Sequence, residues 1–166
     1  MRGVAIGFFL AISIGAAFGE DFKNSYIRFS LPTGWSCETE GTAFVCNPPH
    51  LNGQPVSAIM IITAKIAGPD DNVTAYFKHL EATAAAIGPN AMKQAPTLTK
   101  INGMTWVDCT IEGSEIKNYE TRYLAVSANG LAILYTLSAQ KDYFGKIIGS
   151  AVLAVNTLQM LDDWKK

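Results

Sequence analysis

The chain has 166 residues, 13 Lys+Arg against 14 Asp+Glu, a formal net charge of −1, and 49% hydrophobic residues. Such a balance, with no basic cluster longer than the terminal Lys165-Lys166, lacks the cationic excess that neutralises phosphates, so no nucleic-acid partner is expected. The length suffices for one domain with a real core, and no repeats, charge blocks or Ser/Pro-rich linkers divide it.

The first element is a leader. Met1-Arg2-Gly3 precede an apolar run from Val4 to Ala17, and Ala17-Phe18-Gly19 follows with small residues at the −3 and −1 positions. One positive charge, a short apolar stretch and that ending read as a secretion signal cleaved after Gly19. The run falls short of the ~20 residues that a membrane-spanning helix needs. With no cysteine at the cleavage site, a lipoprotein anchor is not expected either. The expectation is an exported protein, periplasmic or secreted, with residues 1–19 removed, residues 20–166 forming one domain, and no stable membrane span after cleavage.

Tyr26 to Leu31 alternates as a short strand, and Pro32-Thr33-Gly34 turns it. From Trp35 to Cys46 the chain reads as a hairpin, because Gly41-Thr42 suits a two-residue type II′ loop with Gly where φ is positive. Centring the turn there pairs Glu40 with Ala43, Thr39 with Phe44, Glu38 with Val45, and Cys37 with Cys46. That last pair falls at a non-hydrogen-bonded position, where Cα atoms approach to about 4.5 Å, within the span of a disulfide. Of the three cysteines, Cys37 and Cys46 are therefore expected to be bonded, leaving Cys109 free.

Residues 47–53 read as a Pro-rich loop, and Val56 to Ile66 as a strand whose apolar residues on both faces imply cover on both sides. Asp70-Asp71-Asn72 offers N-caps for a helix ending at Gly88-Pro89, with Val73, Tyr76, Phe77, Leu80, Ala84 and Ile87 as its core-facing stripe. Asn102-Gly103 joins strands near 95–101 and 104–111, and Asn129-Gly130 joins 118–128 to 131–139. Asn-Gly between alternating apolar runs is the strongest short hairpin signal. A helix from about Asp142 to Asp162 closes the chain. Antiparallel strands with segregated helices give an α+β class. Several strands are apolar on both faces, so the expected architecture is a twisted antiparallel sheet with helices on both faces, a three-layer α-β-α sandwich.

The arrangement resembles the PsbP/Mog-type fold, including exported bacterial PsbP-like and DcrB-like proteins. The likeness is carried by Tyr26-Ile-Arg-Phe-Ser-Leu-Pro-Thr-Gly-Trp35, Ile101-Asn-Gly-Met-Thr-Trp106, Tyr119-Glu-Thr-Arg-Tyr-Leu-Ala-Val126, and Leu131 to Leu137 with the helix after it. It spans most of residues 22–160 and implies an accessory or adaptor role rather than catalysis. No functional residue carries over, and the photosynthetic members' metal-binding histidines and basic surface are not evident.

Candidate chemistry is sparse. Cys109 shares a strand face with Thr105, Val107 and Ile111, which makes it a buried core thiol rather than an activated nucleophile, while Asp108 points to the opposite face. The two histidines, His50 in a loop and His79 on the helix about 120° from the apolar stripe, lack zinc-ligand spacing. Asp70-Asp71-Asn72 lacks the later ligands of a calcium loop and reads as a helix cap. Asn72-Val-Thr74 is formally a glycosylation sequon, relevant only in a eukaryotic secretory pathway. Glu112, Glu115 and Glu120 sit at loop edges as solvated charges. Rigid exposed segments, the Pro48–Pro55 loop and the disulfide hairpin, are candidate recognition surfaces.

The sequence thus leads to an exported, non-enzymatic accessory or adaptor domain acting through protein–protein contact, with no catalytic, metal or cofactor residues assigned. The alternative is a periplasmic small-molecule or lipid carrier, its ligand held between sheet and helix where Ala82, Ala84, Ala85, Ala86 and Gly145/Gly149 leave room.

Overall fold

The structure, a computed structural model, describes residues 18–165. Of the expected secretion signal, residues 1–19, the first 17 lie outside the described residues, and Phe18 and Gly19 open the first strand. In chain order come β1 (Phe18–Lys23), β2 (Ile27–Pro32), β3 (Ser36–Glu40), β4 (Ala43–Asn47), β5 (Ala58–Ile66), α1 (Val73–Ile87), β6 (Met92–Ile101) and β7 (Met104–Glu112). There follow β8 (Tyr119–Ala128), β9 (Leu131–Gln140), α2 (Lys141–Ala151), α3 (Leu153–Thr157), β10 (Gln159–Met160) and a 3-10 turn (Asp163–Lys165).

Seven strands form one antiparallel sheet in the order β3-β4-β5-β9-β8-β7-β6, and β1-β2-β10 form a second, smaller one. The hairpins follow from local turn chemistry. Gly41 has φ 61°, and Asn102, Gly103, Asn129 and Gly130 all have positive φ (48°, 76°, 52° and 81°), as type I′ turns demand of both central residues. Cys37 and Cys46 stand opposite each other with Cα atoms 4.0 Å apart and their sulfurs bonded. A third Asn-Gly, Asn52-Gly53, closes a miniature hairpin inside the 47–53 loop, with Leu51 and Gln54 exchanging backbone hydrogen bonds of 2.9 and 3.0 Å.

The layers are those of a three-layer sandwich. On one face of the large sheet, Met60, Ile62, Trp106, Leu124, Ile133, Tyr135 and Leu137 pack beneath α2, α3 and the small sheet, forming the principal core. Phe22, Phe29 and Phe44 lock the two sheets together, with ring centroids 5.1 to 6.0 Å apart. On the other face Leu80 and Ala84 of α1 pack onto Val107, Cys109, Ile111 and Tyr123. Asn72 is the N-cap of α1, its side chain accepting from Ala75 N–H at 2.9 Å, and Gly88 ends the helix at φ 146°.

Four expectations need correction. Residues Phe18 to Lys23 form a strand that alternation did not reveal, because pairing with β2 (Asp21 with Ser30, Lys23 with Arg28) rather than an apolar pattern defines it. The closing helix does not run to Asp162. It breaks at Val152 and stops at Thr157, and Gln159–Met160 pair with Arg28 and Ile27 on the free edge of β2. Unpaired edge backbone is a tertiary partner that helical periodicity cannot register. Val73 and Ile87, at the two ends of the expected stripe, are 45% and 46% exposed.

The fourth concerns cover. A 15-residue helix is about 22 Å long and 10 Å wide, whereas seven strands span roughly 29 Å between the outer ones. One helix therefore cannot roof the whole face, and α1 lies over β6, β7 and β8. On β4, β5 and β9 the second apolar face, Val45, Ile59, Ile61 and Leu134, is only half-buried or exposed. The two-faced apolarity of β5 marks an open flank rather than a second layer of cover.

Candidate functional site

Where α1 ends its cover, a cleft of about 700 Å³ opens between the N-terminal half of the helix and the sheet. Its floor is short or aliphatic: Thr63 on β5, Ala125 on β8, and Ala132 and Leu134 on β9. Thr63, Leu134 and Ala125 are successive register partners, so strand pairing alone sets them in a row. Ala75, Tyr76, His79 and Leu80 make the helical wall, one turn apart on a single side of α1. Small side chains at Ala125 and Ala132 account for the space, and Leu134, 39% exposed, faces it without a protein partner to bury it.

Charged groups close the two ends. At one, Asp71 accepts from the backbone N–H of Gly68 at 2.7 Å, pairs with Lys65 at 2.9 Å, and accepts from the Tyr76 hydroxyl at 3.3 Å. The Gly68 hydrogen bond, with Lys65 behind it, holds the Asp71 carboxyl below its ordinary range, so it is ionised at neutral pH. Burial and the Asp71 charge push the Tyr76 phenol up to about 12, so it remains a neutral donor. At the other end the Tyr123 hydroxyl lies 2.6 Å from Glu115 Oε1 and 2.8 Å from Ser114 Oγ. A phenol has one proton, which goes to the carboxylate, while the serine hydroxyl donates to the phenol oxygen. Burial and the Glu115 bond both raise the Tyr123 pKa far above neutrality.

The residues singled out from the sequence fall into three groups. His79 and Asp70-Asp71 line the cleft, and Glu115 joins them through Tyr123. Cys109 lies fully buried beneath α1, its Sγ donating to Gln94 O at 3.3 Å. Burial, then the charges of Asp108 and Glu81, raise that thiol to about 11. The remainder sit elsewhere: His50 is exposed on its loop, and Glu112 is clasped by Lys93 at 2.7 Å and by Lys141, which lower its pKa, Lys141 first. Ala82, Ala85 and Ala86 are exposed on the far side of α1, and Gly145 and Gly149 open to solvent on α2, so the space foreseen beside them does not exist there. Among the described residues no group of three or more His, Cys, Asp or Glu is placed to hold a metal, and no helix is long and apolar enough to cross a membrane.

A buried ion pair escaped the sequence reading. Arg122 on β8 grips Asp108 on β7 through Nε at 2.9 Å and Nη2 at 2.7 Å, on the face opposite the cleft. The two are diagonal neighbours, since Asp108 pairs with Leu124 and Thr110 with Arg122. Neither spacing nor alternation along one strand signals such a contact.

No protein-family model matches the chain, and no curated protein matches it in sequence. Solved structures do. It is similar to a protein from Bacteroides thetaiotaomicron VPI-5482 at TM-score 0.56 and 14% identity, over 86% of this chain and 48% of that one. It is similar to cyanobacterial PsbP (CyanoP) from Synechocystis sp. PCC 6803 at TM-score 0.56 and 11% identity, over 93% and 98% of the two chains. The Ran-binding protein Mog1p of Saccharomyces cerevisiae matches at TM-score 0.53 and 10% identity, over 81% and 90%. The fold is PsbP/Mog1-like. The chain spans about half the length of the Bacteroides protein but nearly all of CyanoP's. Identities this low establish the PsbP-like architecture alone, so the cleft is read from its own residues.

Proposed function

We propose that this chain is an exported, non-catalytic binding domain whose working site is the cleft beneath α1. The observation that carries the reading is the cleft itself: an apolar floor of Ala125, Ala132 and Leu134 with polar groups at its ends, within the several-hundred-Å³ size range of small-molecule sites. Three of its groups are each held in one state, Asp71 ionised and the Tyr76 and Tyr123 phenols neutral, which suits them to holding a ligand rather than moving protons. The free thiol is sealed in the core. The signal-like leader and the Cys37–Cys46 bond support export.

The adaptor reading that leads at the level of sequence keeps a separate support: Mog1p, of the same fold, is by name a Ran-binding protein. On that reading the cleft and the half-buried strip of Val45, Ile59 and Ile61 beside it would receive a protein partner.

One experiment covers both. Wild type and Leu134→Trp are purified natively from an exporting host, extracted with organic solvent and analysed by mass spectrometry, with in-cell crosslinking in parallel. A compound extracted at about one per chain from wild type and lost in the variant establishes the carrier. A crosslinked protein partner lost in the variant establishes the adaptor. Identical extracts and crosslinks from both chains refute the assignment of function to the cleft.

A further inference from the structure

Resting on the reading of the cleft as a ligand site, we infer that its ligand is a small organic cation: an ammonium group joined to an apolar body. The charges at the rim decide the sign. Lys65, the cation nearest the floor strands, is neutralised by Asp71 at 2.9 Å. Glu115 has no cationic partner among the described residues, and its one side-chain bond is the Tyr123 hydroxyl at 2.6 Å. Asp70 also lines the cleft, so among the described residues two lining carboxylates lack a cationic partner, against one lining ammonium, that of Lys78, that lacks an anionic one. An anionic head would have to displace Asp71 from Lys65 or reach outward to exposed Lys78, whereas a cationic head finds Glu115 uncompensated.

The rings agree with the charges. Tyr76 and Tyr123 both line the cleft, and an electron-rich ring face attracts a cation. Both phenols are held protonated, so both rings remain neutral. Tyr123 stands beside Glu115 at one end of the cleft and Tyr76 beside Asp71 at the other. Each end thus sets an aromatic ring next to a carboxylate, and aromatic rings are the groups by which quaternary ammonium ions are recognised. Beyond the head, the floor of Ala125, Ala132 and Leu134 offers only hydrocarbon, which an alkyl or aryl body fills and a bare amine or metal ion does not. The volume of about 700 Å³ accommodates such a body whole.

The test uses three probes with one tail, octyltrimethylammonium, octanoate and octanol, titrated below micelle formation and followed by calorimetry and by amide shifts of Ala125, Ala132 and Leu134. The expected result is tightest binding of the ammonium, by about tenfold over octanoate, with an approximately fivefold loss in Glu115→Gln and loss of all binding in Leu134→Trp. Octanoate or octanol binding as tightly as the ammonium, still lost in Leu134→Trp, overturns the cation assignment and leaves the cleft a ligand site. Failure of every probe to bind wild type, or unchanged binding in Leu134→Trp, overturns the cation assignment and the cleft together. Glu115 and Leu134 are both exposed, so neither substitution threatens the fold.

Discussion

Replacing Arg122 with Met should be among the most damaging single changes outside the apolar core. The Asp108 side chain is 5% exposed and that of Arg122 16%. Their two bonds of 2.9 and 2.7 Å leave Asp108 one other side-chain contact, a long 3.4 Å bond from Thr99 Oγ1. Deleting the guanidinium therefore strands a buried carboxylate with a single weak donor. Breaking such a pair costs about 3–5 kcal/mol. For a domain of this size that corresponds to a fall in Tm of about 10 °C. Replacing both partners with apolar residues removes the stranded charge along with the attraction, so Arg122→Met with Asp108→Val should lie within about 1–2 kcal/mol of wild type. The assay is urea unfolding followed by tryptophan fluorescence, for which Trp106, fully buried two residues from Asp108 on the same face, is a built-in probe. A cost below about 1 kcal/mol for Arg122→Met, or single costs that simply add in the double variant, would refute the reasoning.

Three further outcomes are expected. Cys109, buried and with its thiol pushed up to about 11, should react with iodoacetamide at pH 8 at least about 100-fold more slowly in the native protein than in urea; equal rates would place the thiol at the surface. Replacing both Cys37 and Cys46 by Ser should lower stability by about 2–3 kcal/mol, the chain-entropy value for so short a loop, with two-state unfolding retained; an unchanged denaturation midpoint would count against the staple. Asp71→Asn keeps an acceptor for Gly68 N–H but loses the charge facing Lys65. Because the folded pKa of Asp71 lies below its ordinary 3.8, its stabilisation is present above that value and lost as pH falls through the folded one. The variant should therefore be less stable than wild type at pH 7, and the gap should close in acid; a pH-independent gap would exclude the charge as its origin.

The sequence determined by itself what depends on neighbours a few residues apart. Gly41-Thr42, Asn102-Gly103 and Asn129-Gly130 set three hairpins, because the turns need positive φ at Gly41 and at both residues of each Asn-Gly pair. The hairpin register brought Cys37 opposite Cys46, alternation put Cys109 and Asp108 on opposite faces, and Asn72 capped α1. The α+β class and the three-layer arrangement followed from the same local patterns. The tertiary structure decided whatever depends on which surfaces meet. The free edge of β2 converted Gln159–Met160 from helix to strand, and β7–β8 register created the Asp108–Arg122 pair. The cleft belongs to this second kind. Strand patterning shows that β5 and β9 carry apolar residues on both faces, but whether a face is roofed depends on the area the opposing layer covers. A single helix is narrower than seven strands, so Leu134 and the alanines beside it form an open floor, and Tyr76, Asp71 and Glu115 gather round it from segments far apart in the chain.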